Sequence, residues 1–414
     1  MIIFFYFDKT IKVSQNNMGF IYEHKFEKRP DINDQNIPFE KIYFSTPSDF
    51  RNHMDNIKKQ VGEDAGKTHI VSPPKIVERD EFPKHIGFQD LEKVVDQFKG
   101  KPKVKIAVLN AMSNALGDHL IGMQAFDYWQ EKVRSFLPGT QVEISFYQLN
   151  PYRVGSITKQ WHPKFDQVFM LPNRLSRLVE YDAFIDLGSL LMRDNFNTQS
   201  MIDFFFEAMS IDPKTVPNDK KRIKYKLNED TVEMRKNIIR NIRSLGRPIL
   251  MFHHTSTSPI RGMTNGRARQ FINEIIEKTD YFVVSACGLE LNNKRFMDIK
   301  RFSETFDHFA TFISLVDAII TVDTSTYHIS DAFNIPTVAM FTTIDPKYRC
   351  VYYPHVVGMK LEEEDGKLYG RHKASVKKEV AFEEIKYVDD KWEKLKTDDI
   401  LEALDKAKST LKEE

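Results

Sequence analysis

Residues 318–341 restrict the fold of this chain more than any other stretch. Two apolar runs, Ala318–Val322 and Thr337–Phe341, are joined by Asp323-Thr324-Ser325 and by a segment whose apolar positions Ile329, Ala332 and Phe333 recur at helical spacing. The pattern is a strand, a short helix and a second strand. Its polar hinge falls at the carboxyl end of the first strand, where open α/β sheets bind ligands. A helix start there presents unpaired N–H groups and a partial positive charge, which stabilise an anionic group such as phosphate. An ordinary capped helix in a parallel sheet reads the same way in isolation, so the rest of the chain must decide between them.

That unit closes a longer alternation. From Lys103 the sequence predicts a strand at Val104–Leu109, a helix at 118–137, and strands at Val142–Tyr147 and Ala183–Leu187. A charged run from Asp212 to Glu229 then leads into a helix at 231–245. After Pro248 a second series begins: a strand at Ile249–Phe252, a helix at 268–278, a strand at Tyr281–Ser285 and the unit above. Such alternation calls for parallel sheets covered by helices on both faces. Two successive halves predict an α/β protein with two Rossmann-like domains facing each other across a cleft. Residues 1–100 are less regular, with a hairpin, a strand at 41–44, a helix near 48–61 and a helix at 88–98 ending at Gly100. They carry no defensible chemistry. The tail ends in a helix over 398–411 with Thr397 as its N-cap. The expected organisation is therefore an accessory region over 1–100, Rossmann-like domains over 101–225 and 226–350, and a tail with a closing helix over 351–414.

Composition excludes rather than selects. Lysine plus arginine number 60 and aspartate plus glutamate 59, so no global field advertises a nucleic acid or a membrane surface. The apolar opening Met1–Phe7 lacks a basic leader, is too short to span a bilayer and reads as a strand. No transmembrane segment is expected, and a cytoplasmic location is. Two cysteines, Cys287 and Cys350, form neither a disulfide framework nor a CxxC pair, which suits a reducing compartment. On sequence alone neither thiol is a good nucleophile candidate.

Three constellations could carry chemistry. Ser113-Asn114-Ala115-Leu116-Gly117-Asp118-His119 follows the strand that opens the first half. Asp118 is either the cap of a turn or a general base able to take a proton from a hydroxyl. His253-His254-Thr255-Ser256-Thr257-Ser258-Pro259-Ile260-Arg261 follows the first strand of the second half. Its hydroxyls and the Arg261 guanidinium are suited to a diphosphate. No acidic residue stands at ligand spacing from its two histidines, which argues against a metal site. Cys287-Gly288-Leu289-Glu290 follows another strand, and Glu290 is either a surface carboxylate or an acceptor for ribose hydroxyls. There is no GxGxxG, no Walker loop, no HExxH and no Asp-x-Asp pair for a divalent cation.

Taken together and in order, these motifs resemble glycosyltransferase family nine, the heptosyltransferase family of the GT-B fold. Leu116-Gly117-Asp118 is similar to the family's Leu-Gly-Asp turn, which implies Asp118 as catalytic base. Ser256 and Thr257 fall where the family has hydroxyls on the donor phosphates, Arg261 where it usually has a phosphate-binding lysine, and Glu290 where it has a ribose-binding glutamate. Asp323-Thr324-x-x-x-His328, Ile335-Pro336-Thr337 and Asp345-Pro346 resemble the block that contacts donor phosphates and sugar, with Ser325 in place of the family's glycine. The resemblance spans residues 103–350. It implies donor contacts from Ser256, Thr257, Arg261, Glu290, Asp323, Thr324, Ser325 and His328, with neither cofactor nor metal. The related autotransporter heptosyltransferases carry a cysteine-ligated iron finger, which two distant cysteines cannot supply.

The expectation is an inverting, metal-independent glycosyltransferase that moves a sugar from a nucleotide-diphosphate sugar to an acceptor hydroxyl. The implied partners are the donor and a glycan acceptor, with a protein or a modified DNA base as alternatives. A non-catalytic nucleotide-sugar-binding protein and a nucleotide-sugar epimerase are the rival classes.

Overall fold

The computed structural model describes residues 4–12, 20–27, 39–44, 84–87, 89–110, 116–148, 165–170, 173–178, 180–187, 196, 198–361 and 391–412. The helix expected near 48–61 and residues 113–115 before the Leu-Gly-Asp turn lie outside them.

The first part of the chain holds β1 (Phe4–Lys12), β2 (Phe20–Glu27), β3 (Phe39–Phe44), β4 (Lys84–His85), α1 (Leu91–Asp96), β5 (Lys103–Asn110), α2 (Leu116–Phe136), β6 (Gln141–Gln148), β7 (Gln167–Met170), β8 (Asn173–Arg174), α3 (Leu175–Leu178), β9 (Ala183–Asp186) and α4 (Met201–Ala208). The hairpin predicted near the start is β1 paired antiparallel with β2, which pairs in turn with β3. Strand β8 completes this antiparallel sheet. The remaining strands make a parallel sheet ordered β4-β9-β5-β6-β7. Helix α1 starts where the Asp90 carboxylate accepts from the Glu92 and Lys93 N–H groups. Gly100, at φ +84°, turns the chain from that segment toward β5 in a backbone conformation other residues resist. The core of this part is aromatic, with Phe146 stacked on Phe165 at 4.5 Å and Phe126 and Trp129 beside them.

The second part holds α5 (Glu229–Arg243), β10 (Ile249–His253), α6 (Asn265–Lys278), β11 (Phe282–Ser285), β12 (Phe296–Asp298), α7 (Phe306–Leu315), β13 (Ala318–Val322), α8 (Ser325–Asp331), β14 (Thr337–Phe341), β15 (Val356–Lys360) and α9 (Thr397–Ser409). Its strands form one sheet ordered β12-β11-β10-β13-β14-β15, parallel at every pairing. Counted from β10, this is the doubly wound order 3-2-1-4-5-6, whose direction reverses between β10 and β13. Strands β10, β13 and β14 are buried almost throughout, as apolar runs covered on both faces must be. Helix α6 presents Phe271, Ile272 and Ile275 to the same core that takes Trp392, Ile400 and Leu404 from the tail. The Trp392 indole N–H donates to the Gly262 carbonyl at 3.0 Å, so this buried ring leaves its polar atom satisfied. The closing helix differs at its start from the expectation. Lys396 occupies the cap position, and the Thr397 hydroxyl instead donates to the Glu274 carboxylate.

The chain divides into two compact units. Met1–Asn114, Phe126–Phe196 and Phe204–Thr215 form one, and Ala115–Ala125, Asn197–Asp203 and Val216–Glu414 the other. The opening turns of α2 therefore belong to the unit that contains the second parallel sheet. Among the described residues no helix is long and apolar enough to cross a membrane.

Candidate functional site

The loops leaving β10 and β13 meet at the switch point of the second sheet, because those strands are hydrogen-bonded neighbours with His253 opposite Thr321. Ser256 Oγ donates to the Asp323 carbonyl at 3.0 Å. Arg261, one turn further along, forks between the two loops. Its Nη1 lies 3.3 Å from Asp323 Oδ2, and its Nη2 donates to Thr257 Oγ1 at 2.9 Å. The Asp323 carboxylate is almost sealed from water and takes a second donor, the Tyr327 hydroxyl, at 3.4 Å. A charge so placed is stabilised by its ion partner and its hydrogen bonds. Arg261 thus spends two nitrogens on the protein, and its buried Nε has no protein partner.

Thr324 precedes α8 in an extended conformation and makes no side-chain capping bond, so the first turn of this helix keeps its N–H groups uncapped by Thr324. Ser325 is the first helical residue. Among the described residues only Ser210 and Asn334 combine a side chain with positive φ, so serine in place of glycine carries no left-handed strain. Asn334 lies in the turn that follows α8, where the Ile335 N–H returns to the Ser330 carbonyl at 3.1 Å. The buried Asp331 carboxylate near that end accepts from Arg222 Nε and from the Ile223 N–H, each at 3.2 Å, and burial pushes its pKa up to about 6.

His328 lies inside the helix layer. Its Nδ1 is 2.8 Å from the Tyr353 hydroxyl, and burial holds its pKa down to about 3, so the ring is neutral. Its other edge faces the start of α2: a Cβ added at Gly117 would lie 3.0 Å from His328 Cδ2 and 3.6 Å from Ser325 Cα. Glycine therefore lets the first turns of α2 and α8 approach closely. Asp118 is the next residue of α2, half-buried in that first turn. Glu290 is different. It is exposed after β11, and its backbone carbonyl accepts from Arg269 Nε at 2.8 Å.

The geometry thus draws Ser256, Thr257, Arg261 and Asp323 into one bonded group, with Thr324 and Ser325 next in the chain after Asp323, and sets Asp118 and His328 on the turns that close against it. It leaves Glu290 exposed on the neighbouring strand's loop. The residues that sequence reasoning missed are Tyr327 and Tyr353, whose hydroxyls hold Asp323 and His328. Nothing in their spacing marked them. Among the described residues no group of three or more His, Cys, Asp or Glu side chains is placed to hold a metal ion.

Residues 199–377, somewhat under half of the chain, match the family model described as glycosyltransferase family 9 (heptosyltransferase). The span takes in every motif of the second half that resembles this family, while Leu116-Gly117-Asp118 precedes it. The family match and the resemblance of the motifs thus fall on the same family. No curated protein matches the chain. Among solved structures, the chain is similar to the ADP-heptose lipopolysaccharide heptosyltransferase II of E. coli, at 14% identity and a TM-score of 0.46, over 75% of this chain and 99% of that one. It is similar to a family 9 glycosyltransferase from Veillonella parvula, at 14% identity and a TM-score of 0.45, over 76% of this chain and 98% of that one. The iron-containing dodecameric glycosyltransferase TibC of enterotoxigenic E. coli aligns at 12% identity and a TM-score of 0.48, over 92% of this chain and 87% of that one. Identities this low assign no substrate and no residue role.

Proposed function

We propose that this chain is a glycosyltransferase that takes its sugar from a nucleotide-diphosphate donor bound at the carboxyl edge of the second parallel sheet. One observation carries the reading: the hydroxyl-rich loop after β10 and the Asp323-Thr324-Ser325 turn after β13 are bonded together at the switch point, inside the span that matches family 9. Parallel sheets of this order bind nucleotides there. The donor diphosphate would lie against Ser256, Thr257 and the start of α8, with the unpartnered Nε of Arg261 close by. Preorganised donors of this kind stabilise the charge that builds on a departing diphosphate.

Asp118 is the base in this proposal. It would deprotonate the acceptor hydroxyl, which attacks the anomeric carbon from the face opposite the leaving diphosphate and inverts the configuration. What supports the role is the close seating of Gly117 on His328 and Ser325, which sets the following residue beside the donor turn. No metal is assigned to the reaction, since Arg261 and the N–H groups of α8 supply the positive field. ADP-heptose is the donor, and a lipopolysaccharide-core glycan the acceptor, that the family resemblance implies, and a cytoplasmic location goes with them. Asp118→Asn tests the mechanism in a transfer assay. The proposal expects turnover to fall by two to four orders of magnitude, as loss of general-base catalysis does. Turnover near the wild-type rate would remove Asp118 from its role.

A further inference from the structure

Strands β10 and β11 are parallel neighbours, with Met251 opposite Val284, so the residues that leave their carboxyl ends emerge side by side. On β10 these are His253 and His254; on β11 the chain continues through Ala286 to Cys287. The result is a thiol beside two imidazoles, which are 34 and 33 positions away in sequence. Thr255 Oγ1 donates to Cys287 Sγ at 3.3 Å and lies 3.4 Å from His253 Nε2, while His253 Nδ1 meets the Thr326 hydroxyl at the start of α8. His254 is fully buried, with Nε2 held 2.9 Å from Asn265 Oδ1 and Nδ1 sealed from water without a well-formed hydrogen bond. The loop is tied down on its far side, where the Gly288 and Leu289 N–H groups both donate to Asp298 Oδ2 at 2.8 Å. Cys287 itself remains partly open to solvent, three residues from Glu290.

We propose that Cys287 is a covalent modification site for low-molecular-weight disulfides, and that occupying it closes the nucleotide pocket. The position argues for both halves. The sulfur sits just past the end of the strand next to β10, at the edge of the sheet where the nucleoside of a bound nucleotide lies in this topology. An adduct there would fill that space and, through His253 and Thr326, press on the first turn of α8. Burial pushes the thiol up, but the His253 and His254 rings together bring it down to about 4. The same arrangement raises His254 against its own desolvation. Other charges facing the cluster are Asp298 at the end of β12 and Lys300 just beyond it, beside Gly288. Cys350, the second cysteine, is the internal contrast: it is half-buried too, but there burial pushes the thiol well above the ordinary range. In the reaction the Cys287 thiolate attacks one sulfur of the disulfide. A new S–S bond forms, the old one breaks, and the other half leaves as a thiolate, so the disulfide is the only oxidant the step needs.

The claim about the pocket rests on the nucleotide reading above, whereas the claim about reactivity does not. Iodoacetamide labelling of the native protein, followed by peptide mapping between pH 5 and 9, separates them. The expected result is fast labelling of Cys287 at a rate nearly independent of pH, with Cys350 unlabelled until the protein is denatured. His253→Gln should restore a rate that climbs toward the ordinary thiol range near pH 8.5. A Cys287 in wild type that labels with that ordinary profile, or not at all, overturns the proposal. The second arm treats the protein with oxidised glutathione and measures the rise in melting temperature given by ADP, UDP, GDP and CDP. The adduct should abolish the shift, dithiothreitol should return it, and Cys287→Ser should be indifferent to the treatment. An adduct formed with the nucleotide shift intact overturns the pocket claim. Absence of any shift in untreated protein overturns the nucleotide reading instead, and leaves the labelling profile to judge the thiol.

Discussion

His328 offers the sharpest quantitative test of how the second half is built. Its imidazole is neutral in the folded protein down to about pH 3, because burial penalises the cation, whereas in the unfolded chain it titrates near 6.5. Between those values the unfolded state binds the extra proton, so stability present above pH 6.5 is lost as the pH falls. At pH 4.5, two units below the unfolded value and still above the folded one, the loss is about 2.7 kcal/mol. Asp331, at the other end of the same helix, works in the opposite sense. Its folded pKa of about 6 lies above the unfolded 3.8, so it gains stability over part of the same interval, and the wild-type curve alone would hide the histidine. The difference between wild type and His328→Asn removes that contribution. The asparagine amide can still face the Tyr353 hydroxyl, but it has no proton to take up. Urea unfolding at pH 7 and pH 4.5 should show the wild-type advantage shrinking by about 2.7 kcal/mol between the two. An advantage that is the same at both values would mean that His328 can ionise inside the fold, and would refute its burial between α8 and Tyr353.

Further substitutions test the packing and the ion pair around the site. Gly358 on β15 faces Pro346, and an alanine Cβ would land on the ring, so Gly358→Ala should cost about 1–3 kcal/mol by overpacking, read from the urea midpoint. A midpoint unchanged from wild type would place the Asp345-Pro346 turn elsewhere. Arg261→Ala strands the buried Asp323 carboxylate and should cost about 3–5 kcal/mol, while adding Asp323→Asn should return much of it. Arg261→Lys keeps the charge but cannot fork onto Asp323 and Thr257 together, and should fall between. Simple additivity of the first two changes would show that the pair is not coupled.

The central unit was legible because its physics is local. Apolar runs too short for helices, separated by one amphipathic segment, gave β13, α8 and β14 with their polar turn, and Ser256, Thr257 and Arg261 were visible as a hydroxyl-rich loop before an arginine. Short or context-dependent elements were not. Strand β12, Phe296–Asp298, has only the sheet edge to define it, and α7, Phe306–Leu315, reads as an apolar run without a clear turn before it. Long-range partners were also invisible. No spacing announces that Arg261 pairs with Asp323, that Tyr353 meets His328, or that Cys287 lies beside His253. The reading of Cys287 as an unpromising nucleophile followed from its isolation in sequence, which the β10–β11 pairing removes. Serine at position 325 was the most conspicuous departure from the family pattern, and the helical backbone there accommodates it.

The most direct test of the donor-site claim is the melting temperature of the full chain with ADP, UDP, GDP or CDP, alongside Ser256→Ala. A nucleotide held only by the folded protein raises the stability by about 2.7 kcal/mol at a hundred times its dissociation constant. A saturable rise is expected with at least one of the four, and a weaker one when the Ser256 hydroxyl that bonds the Asp323 carbonyl is removed. No rise with any of them at millimolar concentration would contradict a nucleotide site at the β10–β13 switch point.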